Sequence, residues 1–257
     1  KVINDLLFTL GNDLLYIGYL DTLQSGKLDT PEASDTHVFQ FATNIPCPGT
    51  PTVTYEGQTY NTIQICGQCW LKENLNVGTM IPETQQMTDN ELIEKYCYNN
   101  EEDSCNIYGG LYQWNEMMQY TSQQGAQGIC PPGWHLPTDE EWKVLEGAVD
   151  SQYGIGDQIW DELEARGFDA GTNLKATSGW NSGGNGNDLF GFSSLPGGGR
   201  YENGIFNYIG AVGFWWTSTE WDLNTSWHRN LHYAFPDVYR SNLDKEIGFS
   251  VRCLRDY

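Results

Sequence analysis

Basic residues are scarce in this chain. Lys and Arg total 13 against 34 Asp and Glu in 257 residues, giving a net charge of −21 and a pI near 4.3. So negative a chain argues against nucleic acid and anionic membrane as partners. No apolar run is long enough to span a bilayer, so no transmembrane segment is expected. Cys66-Gly67-Gln68-Cys69 is a CxxC, but no second CxxC or His pair follows and the four histidines are scattered, which disfavours zinc. No βαβ pattern surrounds it, against a thioredoxin-like redox role. No long-period repeat suggests a solenoid. The sequence starts at Lys1 without Met and without a signal-like apolar region, and reads as a processed, exported protein.

What is abundant points the same way. Glycine (29), tyrosine (15) and tryptophan (10) make a turn-rich, aromatic chain, mostly strand and loop. Seven cysteines suit an oxidising compartment, hence an extracellular or cell-surface location.

Residues 1–46 read as an N-terminal β-rich arm and linker, set apart from a domain over 47–257 by the composition change at Pro46-Cys47-Pro48-Gly49. Asp5 to Leu10 is echoed by Asp13 to Gly18, and Gly11-Asn12 between them predicts a hairpin, against which a helix competes on the 4-3-4-3 spacing of Ile3, Leu7, Leu10, Leu14 and Ile17. Its apolar side chains Leu6, Phe8, Leu10, Leu15, Ile17 and Tyr19 are candidates for assembly into a homo-oligomer or filament. Gln24 to Thr36 reads as a polar linker and Val38 to Thr43 as a short strand.

In the domain, Val53 to Tyr55 and Thr59 to Ile65 flank a Glu56-Gly57 turn. Asn99 to Ser104 reads as an acidic loop, and Tyr108 to Tyr120 as a helix with Leu111, Trp114 and Met118 on one side. A second helix starts at Thr138, whose partner Glu141 completes a capping box, with Trp142, Leu145 and Val149 as its apolar stripe. Asp157 to Arg166 predicts a third, short helix closed by Gly167.

The stretch from Phe214 to Cys253 has two scaffold-like ends: the knot Phe214-Trp215-Trp216, and the alternation of Phe249, Val251 and Cys253 with Ser250 and Arg252, a half-buried strand. Between them, large aromatics mix with adaptable polar residues, the chemistry of a recognition surface. The candidate ligand-binding residues are Trp221, Asp222, Asn224, Trp227, His228, Arg229, Asn230, Tyr233, Asp237, Tyr239 and Arg240. A polar loop with buried tryptophans is the competing reading.

Several blocks together resemble a known family. They are Cys69-Trp70-Leu71-Lys72-Glu73-Asn74-Leu75, Tyr108-Gly109-Gly110-Leu111-Tyr112-Gln113-Trp114, Cys130 to Trp142, Leu174 to Trp180, Gly191 to Gly198, and Phe214 to Cys253. Over about 47–257 the chain resembles the Fibrobacter succinogenes major paralogous domain, a C-type-lectin-like domain of bacterial surface proteins. The resemblance implies an α+β fold with two main helices, short antiparallel strands and long loops. It also implies kinship with formylglycine-generating enzymes and with variable lectin-like proteins whose ligand-facing positions correspond to 221–242. No general enzymatic activity comes with it. Trp70, Trp114, Trp134, Trp142, Trp180, Trp215 and Trp216 read as core. For the disulfides, Cys97–Cys105 would close the acidic loop, Cys130–Cys253 would tie the helix block to the last strand, and Cys47–Cys69 is the choice for the third, with Cys66 outside these pairs.

Catalysis has little to build on. His135 and His228 lack an evident nucleophile, and Asp139, Glu140 and Glu141 suit a helix first turn. A formylglycine-type oxidoreductase would need a cysteine pair near the C-terminus, where Cys253 is alone. The long loop has neither Glu-Pro-Asn nor Gln-Pro-Asp, so calcium-mediated sugar coordination is disfavoured. No cofactor is expected. The one metal considered is a structural calcium ion at Asn185, Asn187 and Asp188, against which stands an ordinary turn. The expected function is a non-enzymatic surface protein, self-assembling or docked through its arm, or an adhesin binding glycan or protein through 221–242.

Overall fold

The computed structural model describes residues 14–20, 23–29 and 44–256. The chain divides into two compact units, Lys1–Thr43 and Asn44–Tyr257. Asn44 and Ile45 belong to the second, where the Ile45 carbonyl accepts the Gln64 N–H at 2.8 Å.

In the first unit, β1 (Leu14–Leu20) pairs antiparallel with β2 (Leu23–Asp29), Leu20 opposite Leu23. The linker reading from Gln24 is corrected as far as Asp29: pairing with a neighbour, not composition alone, decides a strand. Leu15, Ile17 and Tyr19 lie in β1. Leu6, Phe8, Leu10 and the Val38–Thr43 strand lie outside the described residues.

The second unit is α+β. β3 (Thr52–Tyr55) and β4 (Gln58–Ile65) form the expected hairpin, with Glu56 and Gly57 both at positive φ in the turn. β5 (Gln68–Leu71) follows, then a short parallel pair, β6 (Thr79–Met80) and β7 (Glu94–Lys95). α1 (Glu102–Tyr108) and α2 (Trp114–Met117) replace the single helix expected over 108–120. The chain cannot stay helical between them. Gly109 sits at φ +83, where a Cβ would lie 2.6 Å from the Asn74 side chain, and Leu111 and Tyr112 instead bridge Tyr96 and Phe249. The 3.6-residue spacing of Leu111, Trp114 and Met118 therefore serves separate contacts. The acidic stretch read as a loop forms most of a 3₁₀ turn at Tyr98–Asn100 and the start of α1.

β8 (Trp134–His135) precedes α3 (Asp139–Val149), whose capping box is present: Thr138 Oγ1 accepts the Glu141 N–H, and Glu141 Oε2 accepts the Thr138 N–H. The third expected helix is only a 3₁₀ turn at Gln158–Asp161. Glu164, at φ +64, then turns the chain into β9 (Glu164–Arg166). α4 (Ala170–Leu174), β10 (Gly199–Arg200) and β11 (Phe206–Asn207) lead to the long strands β12 (Val212–Glu220), β13 (Thr225–His232) and β14 (Val238–Asp244), and β15 (Leu254–Arg255) ends the fold.

Two antiparallel sheets carry the unit, in the orders β3-β4-β5-β15-β8 and β12-β13-β14-β9. The seven core-assigned tryptophans are all buried. One apolar cluster gathers Trp114, Trp134, Trp216 and Phe249, and another gathers Trp70, Trp142, Trp180 and Trp215 beneath α3. The disulfides Cys47–Cys69, Cys97–Cys105 and Cys130–Cys253 span Cα separations of 5.6, 5.1 and 5.9 Å, ordinary for such bonds. The segment 249–253 is not half-buried as its alternation suggested. Ser250 and Arg252 are buried too, because Phe249 bridges Tyr112 and Ser250 bridges Trp215. Arg252 is held there by Asn74 Oδ1 at 2.9 Å and by the Phe192 carbonyl.

Candidate functional site

The four-stranded sheet decides which candidate residues reach solvent. Arg229 and Arg240 point at α3 and are buried, as is Trp227 beside Arg240, at 6% exposed. Arg229 donates to Glu146 Oε1 (2.5 Å) and Asp139 Oδ1 (2.7 Å), Arg240 to Asp139 Oδ2 (2.7 Å), and Arg166 to Glu146 Oε2 (2.5 Å). The Arg240 guanidinium lies 3.6 Å from the Trp227 ring centre, a desolvated cation–π contact. Burial alone would push the Asp139 carboxyl up, but Arg229 and Arg240 hold it well below the usual carboxylate range. His228 points the other way, into Phe214, Trp216 and Phe249. Burial and the neighbouring Arg229 bring its pKa down to about 3, so it stays neutral. Trp227, His228, Arg229 and Arg240 are thus corrected from ligand-binding to scaffold residues. A strand roofed by a helix bearing buried acids takes arginine inside, and such a strand reads as polar in the sequence.

The remaining candidates, apart from Asn230 and Tyr239, divide between the two ends of β13, about 23 Å apart at ~3.3 Å per residue. They do not form one surface. Asn230 and Tyr239 face each other across the strands between those ends, both half-buried.

At one end, the β12–β13 tip is built to be rigid. Asp222 Oδ1 accepts the Asn224 and Thr225 N–H groups at 2.9 and 2.8 Å, and Trp221 N donates to the Thr225 carbonyl. Beneath it, the buried Lys245 ammonium donates to Glu220 Oε1 (2.5 Å) and to the Asp222 and Leu223 carbonyls (3.1 and 3.0 Å), lying 4.5 Å from the Trp114 ring centre. On this braced loop Trp221 is 54% and Leu223 90% exposed. Trp221 meets Trp227 edge-on at 4.8 Å, which fixes its ring.

The opposite tip, joining β13 to β14, repeats the device. Lys175 donates to the His232 and Phe235 carbonyls at 3.1 and 2.9 Å and lies 5.5 Å from the Trp180 ring centre. Phe235 is exposed, Tyr233 and Asp237 half-buried, and His232 packs on both Tyr233 and Phe235.

The sequence missed both lysines. Their scarcity was the available signal, since at least eight of the 13 basic residues are buried and committed to structure. A pocket beside the first tip was missed as well. It has a volume of about 140 Å³, with Glu116, Tyr120 and Lys245 in its wall.

The calcium candidates do not converge. Asn185 Oδ1 accepts the Trp180 N–H, Asn187 donates to Asn173 Oδ1, and the Asp188 carboxylate takes the Ser193 N–H and hydroxyl. These are turn contacts. Among the described residues no group of three or more His, Cys, Asp or Glu is placed to hold a metal. His135 bridges Glu141 and Asp256 at 3.0 and 2.7 Å.

Among the described residues no helix is long and apolar enough to cross a membrane. Comparison with curated proteins and with solved structures finds no match. Comparison with protein families matches residues 63–255 to the Fibrobacter succinogenes major domain. That span contains the four-stranded sheet, both braced tips and the pocket, and begins within β4. The chain belongs to the Fibrobacter succinogenes major domain family.

Proposed function

We propose that this is an extracellular, non-enzymatic surface protein with a C-type-lectin-like domain that captures a glycan or protein ligand at its braced hairpin tips. The observation that carries the reading is the β12–β13 tip: a loop closed on the Asp222 carboxylate and braced by a buried lysine, that holds Trp221 and Leu223 out in water. Rigid aromatic area that is ordered before contact loses little entropy on binding. The three disulfides support an oxidising location. The non-enzymatic reading is supported by the commitments of the histidines: His228 lies buried among rings, and His135 joins the α3 cap to Asp256. The test applies labelled protein to glycan and peptide arrays. The double variant Trp221→Ala/Leu223→Ala is expected to lose at least tenfold of the signal, since buried aromatic anchors commonly contribute more than about 1.4 kcal/mol. Undiminished signal would reject the tip as the site.

A second role, homo-oligomer or filament assembly through residues 1–46, is favoured by the β1–β2 pair. Among the described residues it forms a two-stranded sheet, and a two-stranded sheet alone is marginal in water. A further strand supplied by a second copy would complete it. Sedimentation velocity is expected to show assemblies for the full chain and monomers for residues 44–257. Equal assembly by both would place the contact elsewhere.

A further inference from the structure

Lys95 and Asn76 lie outside both tips and the pocket, and both are buried, at 7% and 6% exposed. Lys95 ends the short parallel pair opposite Met80, and its carbonyl accepts the Ile81 N–H at 2.9 Å. Its Nζ lies 2.6 Å from Asn76 Oδ1, its one hydrogen-bond partner among the described residues. Among those residues no carboxylate forms an ion pair with it, and Glu102 acts on it only as a more distant charge. A buried ammonium normally has a paired charge and fills its three donor positions. This one does neither, which favours the neutral amine. Burial pushes its pKa down, against the opposing charge of Glu102. A neutral lysine amine is a nucleophile.

The side chain it meets is held as firmly. The Asn76 N–H donates to the Tyr60 hydroxyl at 3.1 Å, and the flanking Leu75 and Val77 are buried in the apolar cluster that holds Trp114. With a C=O bond of about 1.2 Å, the contact puts Nζ about 3–4 Å from Asn76 Cγ, close to the separation from which bonds form. Turning the amide about its soft Cβ–Cγ torsion presents that carbon's face to the amine. Helix α1 spans the two segments. Its Cys105 is bonded to Cys97, two residues beyond Lys95, and its Tyr108 carbonyl accepts the Asn74 Nδ2–H at 2.8 Å. Glu102, the first residue of α1, is thereby brought within electrostatic range of the amine.

We infer that the side chains of Lys95 and Asn76 join in an intramolecular amide crosslink. The Lys95 amine attacks the Asn76 side-chain carbon. The Nζ–Cγ bond forms, the bond from Cγ to the amide nitrogen breaks, and ammonia leaves. The proton that Nζ gives up goes to the departing nitrogen, carried by the Glu102 carboxylate, which ends as it began. Nothing is oxidised or reduced and no further reactant is consumed. The product ties β7 to the segment before β6. Unlike the neighbouring Cys97–Cys105 disulfide, it is a bond that thiols do not open.

The test is intact mass spectrometry of the full chain, folded first and then reduced and unfolded. Loss of ammonia is expected to leave it about 17 Da lighter than its sequence. Asn185-Gly186 and Asn203-Gly204 also lose ammonia when they close to a succinimide, so the bond is located by cleavage after glutamate. Residues 74–83 are expected to emerge joined to residues 95–101, and trypsin to leave Lys95 uncut. Lys95→Arg and Asn76→Ala should each restore the full mass. Glu102→Gln, at an exposed helix start, should lower the crosslinked fraction at least about tenfold. If a buried variant fails to fold, the parent chain's mass and its joined peptides decide alone. A parent chain of full mass, or residues 74–83 and 95–101 recovered separately, would overturn the proposal. An undiminished crosslink in Glu102→Gln would overturn the part given to Glu102.

Discussion

Replacing Asp139 with alanine is expected to lower the unfolding free energy by about 3–5 kcal/mol, enough to unfold many domains of this size. Asp139 is the only carboxylate bridging Arg229 and Arg240 among the described residues, with oxygens 2.7 Å from each. Without it, Arg240 loses its carboxylate partner and Arg229 keeps only Glu146. Two guanidiniums would then be buried against one another and against Arg166 with a single acid among them. The control is Lys143→Ala. Lys143 touches the exposed carboxylates of Glu140 and Asp161 at 2.7 Å and reaches Asp139 only at 3.6 Å, and partly solvated pairs of that kind are worth about 0–1 kcal/mol. Denaturant unfolding of the two variants measures the contrast, and equal losses would refute the network's role. The sign with pH follows. The folded Asp139 carboxyl titrates below its ordinary value of 3.8, so its stabilisation is present above that pH and is lost as the pH falls through and below it. Asp139→Asn should flatten that acid limb.

The second large effect belongs to Cys130–Cys253. It closes 123 residues of sequence separation, and removing it by a double Cys→Ala change is expected to cost about 4–5 kcal/mol. Cys97–Cys105 spans a separation of only 8 and should cost about 2–3 kcal/mol. The ordering follows from the loop each bond denies to the unfolded chain. Chemical unfolding of the two double variants under identical conditions checks it, and a larger loss for the short loop would contradict it.

How much of this was legible follows the range of the interactions. The α3 cap lies within four residues, and Thr138 with Glu141 announced it. The β3–β4 hairpin is equally local, and seven of the tryptophans were rightly placed in the core. The helix expected over 108–120 failed because Gly109 and the bridges to Tyr96 and Phe249 are set by distant segments. The same cause hid the scaffold role of Trp227, Arg229 and Arg240. Their partners Asp139 and Glu146 lie about ninety residues away in sequence, and nothing local distinguishes a buried arginine from an exposed one. The sequence groups Trp221 with Trp227 as a tryptophan among polar residues, and it is the Asp222 turn of the folded chain that sets Trp221 in water. The bracing lysines at 175 and 245 belong to non-local contacts and left no pattern of their own.

The central claim is a division of labour along one hairpin: Trp227 belongs to the fold and Trp221 with Leu223 to recognition. Thermal unfolding and array capture, measured side by side on Trp227→Ala and on Trp221→Ala/Leu223→Ala, test it most directly. The account predicts that Trp227→Ala loses about 3–5 kcal/mol of stability, while the tip double variant melts with the parent protein and captures nothing. A tip variant that unfolds, or a stable Trp227→Ala protein that alone loses capture, would contradict it.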